Sequence, residues 1–326
     1  MATYKGIQGY SVQKLSSDPT ASEAAGQLWY NSVTGKFKIA TAGAGAWAAA
    51  NNTVNSFAQR GGAGIQTSAL AFGGNAPGTK DETEKYDGTT WTEVADLNTA
   101  RRYVAGAGAT NTAALAIGGY DTSPSGYTDK VESWGGTSWT EITTLTTARA
   151  TYAQAAGTQT AAIQMGGNNP SNIALAEIWN GSTWTEVSDL NTARSQGAGA
   201  GITTDALMFG GATSPEAQTE IYNGSTWTNM NDLNTGRQDL CGSGSSTPNA
   251  LAFLGYTTTN VANTESWNGT CWTELADLAT ARREPSPGVF SANTASIAFN
   301  GYGPDYTNAT EEWNDPVYSI KTVTVS

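Results

Sequence analysis

The sequence predicts an all-β chain, a six-bladed β-propeller spanning residues 60–326 with a small N-terminal hairpin and extended anchor ahead of it. Three observations carry this. First, one block recurs: "TEKYDGTTWTEVADLNTAR" (Thr83–Arg101), "VESWGGTSWTEITTLTTAR" (Val131–Arg149), "AEIWNGSTWTEVSDLNTAR" (Ala176–Arg194), "TEIYNGSTWTNMNDLNTGR" (Thr219–Arg237) and "TESWNGTCWTELADLATAR" (Thr264–Arg282), with a truncated copy from Glu311. Second, an apolar run ending in glycine precedes every copy, from ALAFGG at 69–74 to SIAFNG at 296–301, at intervals of 44 to 48 residues. Third, the 3.6-residue periodicity of helices is missing throughout, while turn dipeptides recur in step.

Each unit reads as four short strands. The first follows the repeat arginine, as in "RRYVAGAG". The second is the apolar run, the third carries Glu-x-aromatic, and the fourth is the "WTEVADL" segment. Asp87-Gly88, Gly135-Gly136, Asn180-Gly181, Asn223-Gly224 and Asn268-Gly269 join the third strand to the fourth, and such dipeptides suit tight type I′ turns. A four-stranded unit at this period implies a radial arrangement, in which ring closure protects the sheet edges. The sixth unit is expected to own its fourth strand, "YSIKTVTV", with Tyr318 in place of the second tryptophan. Trp47 and Arg60 also stand at repeat-like spacing, so a seventh partial blade from residues 28–59 stays open as an alternative.

The paired glycines, the glutamate two residues before an aromatic and the tryptophan five residues after that aromatic together resemble the kelch repeat. The resemblance covers about 260 residues and implies a kelch-type β-propeller.

The repeat residues have structural explanations. Arg60, Arg101, Arg149, Arg194, Arg237 and Arg282 recur once per unit, as do Glu84, Glu132, Glu177, Glu220, Glu265 and Glu311. They could ring a channel with charge, but buried charges survive only when paired, which favours a polar clamp repeated in every blade. Trp91, Trp139, Trp184, Trp227 and Trp272 hold one aromatic position, and Tyr86, Trp134, Trp179, Tyr222, Trp267 and Trp313 another. Strict repetition makes them filling for the wedge between twisted sheets rather than a sugar ladder. Cys241 falls where other blades carry Ala105, Ala153 and Ala198 and reads as a small buried side chain, while Cys271 sits in a turn. Two cysteines in 326 residues are no disulfide framework.

Composition excludes several functions. The chain has no histidine, a net charge of −12 and only 13% charged residues. Histidine-based triads, histidine-ligated metals and histidine pH switches are thereby removed. An acidic chain does not displace counterions from nucleic acid. No apolar run is long enough for a transmembrane helix, and the start lacks the pattern of a secretory signal. No phosphate-cradling motif occurs, "GSGSS" at 242–246 is a strand or turn rather than a nucleophile elbow, and no carboxylate pair stands out for a hydrolase. The chain is therefore expected to be no enzyme and to need no cofactor or metal. Sequons at Asn180, Asn223 and Asn268 coincide with the turns, and the fourth, at Asn308, is an equally weak signal.

Function is expected where the repeats differ, which is foremost in the loops between second and third strands. These offer Tyr120, Asp121, Tyr127, Asp129, Tyr256, Tyr302, Asp305 and Tyr306, with Asp81. Tyrosine beside Asp and Asn can stack on and hydrogen-bond a sugar, or contact a protein.

Residues 1–59 lack the repeat. "LWYNSVTGKFKIA" reads as a hairpin turning at Ser32–Gly35, and the Ala/Gly run 40–50 as a linker or a closely packed strand. The polar first 25 residues are expected to be held by a partner or by other copies. The hairpin segment resembles a short module of structural proteins in tailed phages. That resemblance implies a non-enzymatic virion protein, a tail fibre or similar appendage. Residues 1–59 would dock to other virion proteins, and the propeller would face a host-surface glycan or protein, in a homo-oligomer such as a trimer with neither nucleic-acid binding nor membrane insertion. The rivals are a decoration or collar protein of the particle and an extracellular glycan-active propeller.

Overall fold

The computed structural model describes residues 12–20, 24, 26–122, 126–212 and 217–323. Most of the polar leader, the tip of the blade-two loop at 123–125 and residues 213–216 of the ATSPEAQ loop lie outside them, as do the side chains of Val317 and Tyr318. The described residues form β-strands, bridges and turns with no helix, arranged as seven four-stranded sheets in a propeller-like, all-β architecture. Two compact units result: residues 47–314, and residues 1–46 with 315–326.

The larger unit carries the repeats. Its first sheet runs in order through Gly61–Ile65, Ser68–Asn75, Thr79–Tyr86 and Trp91–Val94, each antiparallel to the next. The same meander recurs at 105–142, 155–187, 198–229 and 241–274. First strands touch in succession: Gly61–Ile65 meets Ala105–Thr110, and so on until Ser286–Pro287 meets Gly61–Ile65 again. Between neighbouring sheets lies a separate apolar core. The one between sheets one and two joins Leu70, Phe72 and Leu97 to Trp134 and Trp139. That between sheets six and one joins Ile297 and Phe299 to Tyr86 and Trp91. Small residues on the inner strands permit this: a Cβ on Gly106 would lie 1.9 Å from the carbonyl oxygen of Gly62.

Sheet six departs from expectation. Ser286–Pro287, Ala295–Phe299 and Thr310–Asn314 are completed by Ala46–Ala50, not by "YSIKTVTV". Trp47, rather than Tyr318, supplies the second indole, packing on Phe253 and Trp313 at centroid distances of 5.2 and 5.8 Å. Its Nε1 donates to Thr264 Oγ1 at 2.9 Å, just as Trp272 donates to Thr219 and Trp139 to Thr83 one sheet back. Geometry selects the segment that can bring a tryptophan to this seam.

In the smaller unit, Leu28–Asn31 and Lys36–Gly43 form the expected hairpin, with Gly35 in the left-handed region and Asn31 Oδ1 accepting from the N–H groups of Val33 and Thr34. Val317–Thr322 pairs antiparallel with Lys36–Gly43, and Gln13–Leu15 adds in parallel to Leu28–Asn31. Trp29 is buried with Ala24 and Ala40, and its indole N–H donates to Asp18. The unit boundaries therefore differ from a division at residue 59: residues 47–59 lie with the repeats, and 315–326 with the hairpin.

The joining turns also differ from type I′. Only the glycine has positive φ, for example Gly88 at 92°. Tyr86 pairs directly with Trp91, leaving a four-residue loop in which Asp87 Oδ1 accepts the N–H groups of Thr89 and Thr90. Asn180, Asn223 and Asn268 do the same, which occupies the side chains of three sequons. Such Asx turns replace a left-handed residue with a side-chain acceptor.

Candidate functional site

The clamp residues come first, because they fix what remains free. Arg101–Glu132, Arg194–Glu220 and Arg282–Glu311 meet at 2.9, 2.8 and 2.7 Å, and Arg149–Glu177 and Arg237–Glu265 meet likewise, with both partners essentially excluded from solvent. Burial pulls the guanidinium pKa of Arg101, Arg149 and Arg237 down, and the glutamate opposes it. The second carboxylate oxygen accepts a backbone N–H from the segment that arrives from the previous sheet, such as Asn98 on Glu132 and Asn191 on Glu220. Each pair thus ties an incoming connection to the sheet it enters.

Arg60 reaches its Glu84 partner at 2.6 Å by a different route. The bridge Ala58–Asn75 matches Arg102–Tyr120, so Phe57 occupies the chain position that Arg101 holds one sheet later. Arg60, three residues on, lies with its guanidinium 5.0 Å from the Phe57 ring centre and fills the clamp from there. A similar shift affects sheet three. There Gln154 rather than Ala153 stands opposite the residue before the paired glycines, as Ala105 and Ala198 do elsewhere. Cys241, in the same place, is buried and free, its thiol pushed up by burial, and Cys271 is free and exposed.

Just inward of the clamps, each connection contributes one residue in the left-handed region: Gln59, Tyr103, Tyr152, Gln196, Asp239 and Glu284, with φ between 51° and 61°. Their backbones form a belt. Tyr103 donates to the carbonyl of Gln59, Tyr152 to Tyr103, Asp239 to Gln196, Glu284 to Asp239, and Gln59 back to Glu284. The side chains line a depression of about 30 Å³, room for one or two waters but not for a sugar ring.

The depression holds an acidic pair that sequence reading does not pick out. Burial, opposed by the Gln196 hydrogen bond and by Arg283, raises Asp239 to about 6. Burial and the neighbouring Asp239 raise Glu284 to about 7, with Gln59, Arg283 and Arg102 holding it back. Gln59 Nε2 donates both to Glu284, at 3.0 Å, and to the Tyr103 hydroxyl, at 2.9 Å. Tyr103 is pushed up to about 12, chiefly by burial, and its ring meets that of Tyr152 at 4.6 Å.

The tyrosines of the second-to-third loops adjoin this depression without lining it, and three of them bridge the residue beside the belt: Tyr120 to Arg102, Tyr256 to Gln238 and Tyr302 to Arg283. Tyr120 and Tyr127 meet edge to face at 5.4 Å, and Tyr302 and Tyr306 at 5.3 Å. Asn75 donates to the Tyr306 hydroxyl, and Tyr127 donates to Asn168, joining each pair to the next sheet. Their acidic companions do not converge with them. Asp121 is 7% exposed and its N–H donates to the Gly126 carbonyl, Asp129 is half-buried, and Asp305 is exposed, its carbonyl accepting from Gly303. The residues missed by sequence reading, Arg102, Tyr103, Tyr152, Asp239, Arg283 and Glu284, had one signal: the positions after the repeat arginine vary between constant flanks.

Among the described residues, no group of three or more His, Cys, Asp or Glu is placed to hold a metal, and no helix is long and apolar enough to cross a membrane. Comparison with known proteins finds no matching family model and no matching curated protein.

Proposed function

We propose that the six repeat sheets are the blades of a closed, kelch-type propeller whose loop face is a non-enzymatic binding surface. One observation carries this reading. The repeated charges are consumed in buried clamps, and the side chains that vary between blades gather on a single face, as tyrosines, two arginines and amides around a depression too small for a buried substrate. Shallow, aromatic, half-buried surfaces suit recognition of a partner lying on top.

The N-terminal resemblance supports a setting on a tailed-phage particle, as a tail fibre or similar appendage. The smaller unit would dock to other virion proteins, and several copies, in a trimer, would give avidity to weak individual contacts. A decoration role, with the face turned to other virion proteins, is the competing reading. The test is competition. Purified chain added to susceptible cells should reduce particle adsorption, and particles lacking residues 60–326 should assemble but adsorb poorly. Normal adsorption by such particles would defeat the host-binding reading, and hydrolysis of a surface glycan by the purified chain would defeat the non-enzymatic one.

A further inference from the structure

Two of the chain's eight arginines, Arg102 and Arg283, take no part in the clamps. They occupy the same backbone position in sheets two and six, each exchanging two backbone hydrogen bonds with a loop tyrosine. The Arg283 guanidinium lies 4.9 Å from the Tyr256 ring centre and 5.1 Å from that of Tyr302. Arg102 lies 5.0 Å from Tyr120 and 5.5 Å from Tyr103. Both side chains are half-exposed, and neither guanidinium has a salt bridge or hydrogen bond among the described residues. Contact with two rings fixes each guanidinium in place, the Arg102 Nε lies buried without a hydrogen-bond partner, and the planar N–H fork of a guanidinium matches a carboxylate.

We propose that Arg102 and Arg283 are the carboxylate-reading groups of this face and that its ligand is an acidic saccharide. This rests on the binding-surface reading and names its ligand class. The sugar ring lies on tyrosine while its carboxylate enters a guanidinium fork. A peptide fits less well: the loop backbones beside the arginines are already paired, and none of the large exposed apolar side chains belongs to these loops. Asp239 and Glu284 stand near Arg283, but burial keeps them partly protonated near neutral pH, so they oppose an incoming anion less than free carboxylates would.

The test is calorimetric titration of the full chain with tetramers of galacturonate, mannuronate and glucuronate, each against its carboxyl-reduced counterpart. At least one acidic tetramer should bind about tenfold more tightly than its neutral form, a difference within the range of one charge-assisted hydrogen bond. Arg102→Gln and Arg283→Gln should each remove most of that preference while melting within a few degrees of the parent, and Arg→Lys should restore only part of it. The proposal is overturned if no acidic tetramer binds, if neutral and acidic forms bind alike, if the glutamine variants keep the preference, or if a glutamate-rich peptide binds where the sugars do not. In adsorption competition, variants that still compete fully count against this inference alone. A parent chain that binds acidic sugar but never competes counts against the host-binding reading alone.

Discussion

At the scale of single residues, the indole N–H groups show how one atom decides local stability. The outer-strand tryptophan of each sheet looks back at the previous sheet's third strand, three residues before its aromatic. At Thr83, Thr219 and Thr264 the indole of Trp139, Trp272 or Trp47 finds a hydroxyl, whereas Thr310 and Trp91, at the same place between sheets six and one, leave both groups buried without a partner. Sheet two offers Val131 instead, and the buried Trp184 Nε1 has no partner; sheet three offers Ala176, and Trp227 turns to the carbonyl of Ser188. Val131→Thr should therefore stabilise the chain by about 1 kcal/mol, the net worth of a hydrogen bond that relieves a buried orphan. A lower urea midpoint in the variant would refute the pairing. The axial carboxyls give a second prediction. Asp239 and Glu284 keep their protons to about pH 6 and 7 in the folded chain, above the ordinary carboxyl values of 3.8 and 4.5. Between about pH 4 and 7 the folded state binds more protons than the unfolded state, so their contribution to stability falls as pH rises through that window. Asp239→Asn with Glu284→Gln should flatten the decline in urea midpoint between pH 4 and 8, and an unchanged slope would place its origin elsewhere.

Among elements, turns and clamps differ in what they demand. The four-residue loop carries a glycine at its second position in every copy and, in four of the five, a side-chain acceptor at its first. Loop two has Gly135 at the first position, at an ordinary φ and with open space around a Cβ. Gly135→Asn should add the Asx acceptor present in the other loops and reduce the freedom of the unfolded chain, raising stability by about 0.5–1 kcal/mol. A thermal melt of the single variant checks this. The clamp is less forgiving. Glu220 neutralises Arg194 and also receives the N–H groups of Asn191 and Thr192. Glu220→Leu should cost about 3–5 kcal/mol, because it strands a buried guanidinium. Replacing Arg194 with Leu as well should recover part of that loss, and a double variant no more stable than the single one would contradict the pairing.

Across the whole molecule, the repeats made most of the fold legible and left its seam hidden. Constant spacing, alternating burial and turn residues act over a few residues, so five sheets, the N-terminal hairpin and the core aromatics could be read directly. The sixth sheet could not, since Ala46–Ala50 and Thr310–Asn314 are about 260 residues apart and nothing local in "AWAAA" names a partner. A chain starting at residue 51 should lose this strand and Trp47 and resist folding, whereas residues 46–314 should fold alone. Trp47→Ala in the full chain should destabilise it by less than the roughly 3–5 kcal/mol of a fully buried indole, because Trp47 is half-buried against Phe253 and Trp313. Circular dichroism and limited proteolysis separate these outcomes, and a stable 51–326 chain would remove the seam from the account. The candidate site divides the same way. The loop tyrosines could be named from their variability, but Asp239, Glu284, Arg102 and Arg283 gained meaning only when six connections were brought side by side. The amino-acid order alone thus determined the strands, their number per unit and which charges must be paired, because those follow from short-range patterning and the cost of burying charge. Which strand completes sheet six, which acids share a depression and which arginines stay open were decided by tertiary structure, because each depends on distances between segments far apart in the chain.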